Sequence, residues 1–447
     1  MSHKGLKKVG LPLLSGSLFY LAFSKLSLWF LLFPSLLILS YLRTPSAWFL
    51  AGVFSFLPSL FWIRIAMLEY GGVLPVVAYS LIALLVVFLV SLQFLVVFHL
   101  WRLLRFYPLT LPFLWTAVEV ARSHVPYGGF PWLITGELLV DAPLLKNYLS
   151  AGGVYLGSVV VWSISLLPHL VSDRRSIVAL LMLLLLPLPF IRPAPDPPQG
   201  VRVAVIQPNV EEDVKLDKEA FYRYLPNYWE ILEKVSRERP DVVFLPESAF
   251  PFTANRLNTE GRRLLNYSRR FVIVTGLIDI RVGEDWEPYN SVFVLHSGRV
   301  VDFYDKVRLL PFGEYVPFPF GFTKDIFGAI GGTDYVPGSE PRCVNAVKLK
   351  VGTPICFEVS YYSLVRSFSE CADVVAVFTN DGWFKDSDGT YQHFRQARVR
   401  AVENRKYLLW VNNTGPSAVI SPEGDVLMEI PYGKKGYIVY DFSRIKP

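Results

Sequence analysis

Glu247, Lys306 and Cys356 are of the right types to act together on a carbonyl group. A carboxylate can take a proton, a thiol can attack carbon once that proton has gone, and an ammonium can hold the negative charge that then builds on oxygen. Each of the three follows a short apolar run. DVVFLPES places Glu247 just past a predicted strand, VVDFYDKVRLLPFGEYVPF carries Lys306 after another, and KVGTPICFE puts Cys356 at the end of a third. Glu314 stands eight residues after Lys306, and Glu358 two after Cys356. Strand ends are where open α/β sheets collect their active sites. Taken singly, each residue has an ordinary reading: a solvated cap for Glu247, a surface charge for Lys306 between Asp305 and Arg308, a buried structural thiol for Cys356. Three such residues at three strand ends, with the residues around them, favour the catalytic reading.

The elements that must position them come from the second half of the chain. VRVAVIQPNV, FVIVTGLIDI, NSVFVLHSG and DVVAVFTND are further β-rich runs that end in polar or turn residues. Helical stretches such as FYRYLPNYWEILEKVSRER and QHFRQARVRAVENRKY lie between some of the strands. Strands alternating with helices predict an α/β domain over 201–447. Before it, PLPFIRPAPDPP ends in a proline-rich linker at 192–200, too dense in proline to continue a helix.

Residues 1–191 read differently. The chain is 52% hydrophobic and only 18% charged, and the apolar excess crowds into 9–191. Windows of about 20 apolar residues predict seven transmembrane helices, near 9–24, 26–42, 46–66, 73–100, 106–125, 148–171 and 174–191. The N-terminus does not read as a cleavable signal peptide. With the N-terminus in the cytoplasm, eight loop lysines and arginines fall inside (Lys4, Lys7, Lys8, Arg43, Arg102, Arg105, Arg174, Arg175) and four outside (Lys25, Arg64, Lys146, Arg192). Seven spans then deliver the α/β domain to the outer side. The net charge of +6 fits anionic lipid better than nucleic acid, since the basic residues flank apolar runs and no nucleic-acid-binding signature is present. Six scattered histidines give no zinc spacing. Three cysteines make no disulfide framework, and an odd count leaves at least one free thiol; Cys343 and Cys371 read as buried structural or incidental thiols.

The order glutamate, lysine, cysteine, each in its segment, resembles the nitrilase superfamily of carbon–nitrogen hydrolases. Within it the sequence is most similar to the membrane-bound apolipoprotein N-acyltransferase family. The resemblance rests on LPES, DKVRLLPFGEYVPF, ICFE, NDGWFKDSDGTYQHFRQARVRAVENR at 380–405, and GGFPW at 128–132 in the helical half. Phe357 stands where the family often has tyrosine, Leu216 where it often has tryptophan, and many members end in a further span whereas this sequence stops at DFSRIKP. The resemblance implies a membrane helical bundle joined to an αββα sandwich, in the bacterial inner membrane, with the catalytic domain on the periplasmic side. It implies acyl transfer from a membrane phospholipid to the N-terminal α-amine of a diacylglyceryl-cysteine lipoprotein, through a thioester on Cys356. Glu247 would be the base and Lys306 the oxyanion partner, with Glu314 and Glu358 in support and Asn380 and Trp383 touching substrate. The change from ester to amide runs downhill, so neither nucleotide nor metal cofactor is required.

The aromatic, Gly- and Pro-punctuated stretch 315–337, with Phe320 and Phe322, reads as a lid that meets the acyl chains, against the plainer reading of core rings. GGFPW reads as a lipid-facing element, against the plainer reading that its Gly and Pro only shape a turn. The rival enzyme reading is a membrane-tethered amidase acting on a small amide; the rival from another class is a non-catalytic receptor on the same fold. Seven spans are excessive for a tether, and three chemically competent residues argue against a dead site.

Overall fold

The computed structural model describes residues 6–170, 174–255, 258–282, 286–318 and 334–442. The chain forms two compact units. One comprises Met1–Glu69, Val73–Pro193 and Ser387–Glu403; the other comprises Tyr70–Gly72, Ala194–Asp386 and Asn404–Pro447.

The first unit is helical. Among the described residues two helices are long and apolar enough to cross a bilayer, Pro75–Leu103 and Tyr148–Ser165; the pair Pro45–Leu60 and Ile63–Tyr70, bent by 49°, makes a third if it counts as one span. This differs from the seven predicted spans. Lys8–Phe23, Trp29–Tyr41 and Arg175–Phe190 are apolar but short. Sixteen residues at 1.5 Å each reach about 24 Å, against a hydrocarbon core of about 30 Å. The predicted 106–125 helix is Leu111–Arg122, only 12 residues long. Hydropathy windows run across such breaks because the connecting residues are apolar too.

Local chemistry sets the helix ends and contacts. Thr44 caps Pro45–Leu60 by accepting from the Ala47 N–H, and Pro45 pre-sets the first turn. Gly16 lets the first helix approach the third: a Cβ there would stand 2.5 Å from that of Phe54. Arg122 is buried and donates to the carbonyls of Phe130 and Trp132, at 2.9 and 2.7 Å. This fixes the GGFPW turn with Trp132 inside, 2% exposed, its indole donating to Gln392 at 2.7 Å. Trp132 therefore packs in the protein and does not face lipid. Gln392 and Arg395 come from the helix Asp388–Asn404, and Arg395 pairs with Asp141 at 3.0 Å.

Among the described residues the second unit holds twelve strands: β1 Arg202–Gln207, β2 Val242–Leu245, β3 Val272–Val282, β4 Trp286–His296, β5 Arg299–Asp305, β6 Cys343–Asn345, β7 Lys350–Gly352, β8 Val374–Thr379, β9 Leu408–Asn412, β10 Ser417–Ile420, β11 Val426–Ile430 and β12 Gly436–Asp441. They form two six-stranded sheets, ordered β12-β1-β2-β3-β4-β5 and β11-β10-β9-β8-β7-β6. Each has a parallel centre, β1-β2-β3 in one and β7-β8-β9 in the other, with antiparallel strands outside. The central strands VVFL and VVAVFT are buried along their whole length, as strands covered on both faces must be. Phe244 of β2 meets Phe378 of β8 with ring centroids 6.2 Å apart, so the two sheets face each other across an apolar layer. Lys218–Arg237 begins at Asp217, which accepts from two backbone N–H groups, and its buried face carries Phe221, Leu225, Tyr228 and Leu232 into the core with Val243 and Ile273.

Cys343 and Cys371 are bonded to each other, Cα atoms 6.1 Å apart, which corrects the expectation of two separate thiols. The bond ties edge strand β6 to the end of the helix Tyr362–Cys371, a contact between segments that sequence spacing does not reveal. It closes a loop 28 residues apart in sequence, for which chain entropy gives about 3.5 kcal/mol. Changing Cys343 to serine is expected to lower the melting temperature of the folded protein measurably. Alkylation of Cys356, measured by mass spectrometry at a temperature where the variant is folded, should persist.

Candidate active site

The candidate residues gather at the same end of the strands. Glu247 lies two residues past β2, Lys306 directly follows β5, and Cys356 follows Ile355, which bridges to Phe378 of β8. Two of the turns take backbone conformations that side chains rarely adopt: Ser248 has φ 47° and Cys356 φ 50°. Gly276 of β3 makes room for the first of them, since a Cβ there would come within 2.6 Å of the Glu247 Cα.

Lys306 is 2% exposed and Glu247 8%. The Lys306 ammonium sits between carboxylates, 2.8 and 2.9 Å from the two oxygens of Glu314 and 4.0 Å from Glu247 Oε1. Asn290 of β4 joins the two acids, its Nδ2 donating to Glu247 Oε1 at 2.7 Å and to Glu314 Oε1 at 2.9 Å. The Asn290 carbonyl also accepts from the Lys306 N–H at 2.9 Å. Glu314 is held from behind by the Leu310 N–H at 2.7 Å. The short distances to Glu314 make it the partner that fixes Lys306, leaving Glu247 less tightly engaged.

Glu358 acts on the backbone. Its Oε1 accepts from the N–H groups of Val307 and Arg308, at 2.8 and 2.9 Å, and its Oε2 from the N–H of Ile355 at 2.8 Å. The Tyr304 hydroxyl donates to it as well, at 2.9 Å. One side chain thus fastens the segment carrying Lys306 to the segment carrying Cys356.

The electrostatics follow from burial and from two carboxylates sharing one ammonium. Burial raises the Glu247 carboxyl; Lys306 pulls it down, Glu314 pushes it up again, and the net is upward. Burial would lower Lys306, but Glu314 and then Glu247 outweigh it and hold the ammonium charged well above the usual lysine range. Burial and then Glu247 push the Cys356 thiol well above its ordinary value, against Lys306. Glu358 is pushed up to about 7 by burial, against Lys306 and its backbone donors. The resting site is therefore a neutral thiol beside a carboxylate of raised proton affinity and a fixed cation. That arrangement suits proton transfer from sulfur to carboxylate followed by attack on a carbonyl.

Asn380 is 5% exposed and engaged, donating to Glu212 at 2.8 Å and accepting from Asn413 at 2.9 Å. Trp383 is half-buried, its ring against that of Tyr70 at 5.4 Å. Leu216 is 56% exposed, whereas Phe357 is buried with its ring edge on Tyr361. Phe320 and Phe322 lie outside the described residues, as does most of the 315–337 stretch. Two polar residues that sequence reasoning passed over belong to the site's wall. One is Asn290; its signal was an amide at the head of the apolar run SVFVL. The other is Lys215, which donates to the Glu247 carbonyl at 3.3 Å and left no signal in a charged surface-like stretch.

The double fastening by Glu358 generates a graded expectation. Glu358→Ala leaves three backbone N–H groups and the Tyr304 hydroxyl without their acceptor, at about 1–3 kcal/mol for each buried group. Glu358→Gln keeps one oxygen and should be milder. Melting curves should rank wild type above Gln above Ala.

Both halves of the chain match known families. Residues 15–167 match the apolipoprotein N-acyltransferase N-terminal domain, and residues 202–445 match carbon-nitrogen hydrolase. The apolipoprotein N-acyltransferase of Aquifex aeolicus is 45% identical over 442 residues, covering 98% of this chain and 99% of that protein. That of Rickettsia typhi is 28% identical, covering 87% of this chain and 81% of that protein. Among solved structures, Nit3 of Saccharomyces cerevisiae, a member of the nitrilase superfamily, is 20% identical with a TM-score of 0.42, covering 54% of this chain and 89% of that one. An amidase of Nesterenkonia sp. AN1 is 21% identical with a TM-score of 0.41, covering 54% and 92%. With both of its halves matched and 45% identity across nearly its full length, this chain belongs to the apolipoprotein N-acyltransferase family.

Proposed function

We propose that this chain takes an acyl group from a membrane phospholipid onto Cys356 and passes it to the N-terminal α-amine of a diacylglyceryl-cysteine lipoprotein. The observation that carries the reading is the buried Lys306 cation held between Glu247 and Glu314, in the unit that also presents Cys356, the one cysteine outside the disulfide. Glu247 takes the Cys356 proton as sulfur attacks the ester carbonyl. Lys306 holds the oxygen that becomes negative. Collapse breaks the C–O bond, and the departing lysophospholipid oxygen receives the proton from Glu247. The lipoprotein amine then attacks the thioester and gives a proton to Glu247; the C–S bond breaks, and the proton returns to sulfur. Ester and amine have become alcohol and amide, with the enzyme restored. Glu314 keeps Lys306 in place, Asn380 shapes the wall beside the site, and Trp383 meets the acyl chain or the acceptor.

Incubation with phospholipid alone should add one acyl group to Cys356, read by mass spectrometry, and Cys356→Ala should lose both the adduct and transfer to a lipopeptide. An adduct on another residue would overturn the assignment. The acylation rate should fall as the pH drops, because Glu247 must be ionised to act and its carboxyl is raised; the inflection should lie above 4.5. Lys306 stays charged above 10.5, so it contributes no alkaline loss below that value.

We further place the catalytic unit on the outer side of the inner membrane. The eight-to-four loop charge balance supports this. So does the Cys343–Cys371 bond, since disulfides persist in oxidising compartments. The seven-span topology requires the shorter apolar helices to cross as well. A reporter that fluoresces only in the cytoplasm should glow at the N-terminus and stay dark when fused after Pro447; the reverse pattern would refute the placement.

A further inference from the structure

The helical unit contains a cleft of about 700 Å³, apart from the residues assigned above. Its wall is largely apolar, with Phe54, Leu57, Pro58, Phe61 and Ile65 on the bent pair of helices and Leu26 opposite. Leu26, Leu57 and Phe61 are 62%, 38% and 41% exposed, so this wall is open to its surroundings. Three charged side chains also line the cleft: Lys25, Arg64 and Asp388. Lys25 lies just past the helix Leu11–Phe23, and Arg64 lies beside the bend between Pro45–Leu60 and Ile63–Tyr70. Cations at the ends of apolar helices stand at the height of lipid headgroups.

Arg64 is incompletely satisfied. Its guanidinium lies 5.1 Å from the Phe61 ring centroid, which serves its face. Its Nε–H is buried and has no hydrogen-bond partner among the described residues. The acid in the cleft is already engaged: Asp388 accepts from the Lys25 backbone N–H at 2.8 Å. Two cations against one such acid leave the lining net positive. Arg64 as a residue is only half-buried, so its guanidinium can meet an anionic oxygen from the cleft through a charge-assisted hydrogen bond.

We propose that this cleft binds a membrane phospholipid, the phosphodiester accepting from Arg64 and an acyl chain lying along the Phe54–Ile65 wall. The volume falls in the range of small-molecule sites. The cation and the open apolar wall select a ligand that is anionic at one end and hydrocarbon at the other. The site is distinct from acylation of Cys356, and the two can fail separately.

The test uses full-length enzyme in detergent with substoichiometric phosphatidylethanolamine bearing a headgroup diazirine. After illumination, cross-links should map to residues 54–65 or 24–28. Arg64→Gln should reduce them about tenfold, the worth of one charge-assisted hydrogen bond, and Arg64→Lys should restore part of the yield. A diacylglycerol carrying the same diazirine should label weakly, and excess inorganic phosphate should not compete. Equal labelling in Arg64→Gln, or by the diacylglycerol, would overturn the proposal. Displacement by inorganic phosphate would overturn it in favour of a free-anion site. If Arg64→Gln fails to fold, the comparison of the two lipids in wild type decides. Acylation of Cys356 is read in the same samples: a thioester without cleft labelling sinks this proposal alone, and labelling without a thioester sinks only the catalytic reading.

Discussion

An ammonium that is 2% exposed keeps its charge only where carboxylates surround it, and most of the site's architecture follows from meeting that condition at Lys306. Glu314 engages it through both oxygens, Asn290 ties Glu314 to Glu247, and the Asn290 carbonyl takes the Lys306 N–H. Two carboxylates for one cation leave the pocket with an excess of negative charge. Burial first, and then that excess, keep the Cys356 thiol protonated and raise Glu247. In the proposed transfer of a proton from sulfur to carboxylate, the pocket's total charge stays constant. Charge is relocated toward the substrate without being created in a buried place, which keeps the electrostatic cost of the step low.

Position is maintained by backbone as much as by side chains. The Glu247 and Cys356 turns both place a left-handed residue just past a buried strand, and Gly276 yields the space the first one needs. Glu358 then bolts the Cys356 turn to the Lys306 segment through three N–H groups. Cys356 and Lys306 come from different sheets, so the sandwich sets their coarse separation and Glu358 the fine one.

The three candidate residues and the strands that bear them were legible because they are local: each motif is a short apolar run ending in the candidate residue. The helical first half was legible as composition, but composition does not fix its span count, since apolar connectors hide where helices break, and Lys8–Phe23 and Leu111–Arg122 are shorter than the ~20 residues of a typical span. Asn290, Lys215 and the Cys343–Cys371 bond were illegible for a common reason. Each has its meaning only through a partner 28 to 43 residues away or more, in another element. Trp132 was misread because GGFPW looks like an exposed turn until Arg122 claims its carbonyls.

Cys356 lies in sequence between the two cysteines that are bonded to each other, inside the loop they close. A third thiol there is a hazard for oxidative folding, since thiolate attack on a disulfide is the reaction that scrambles pairings. Only the thiolate exchanges, and in the folded site burial and Glu247 hold Cys356 as the thiol. That raised proton affinity makes the residue a poor partner for stray disulfides. Once the domain has folded, the Cys343–Cys371 pairing is thereby shielded from exchange with the third sulfur in the chain.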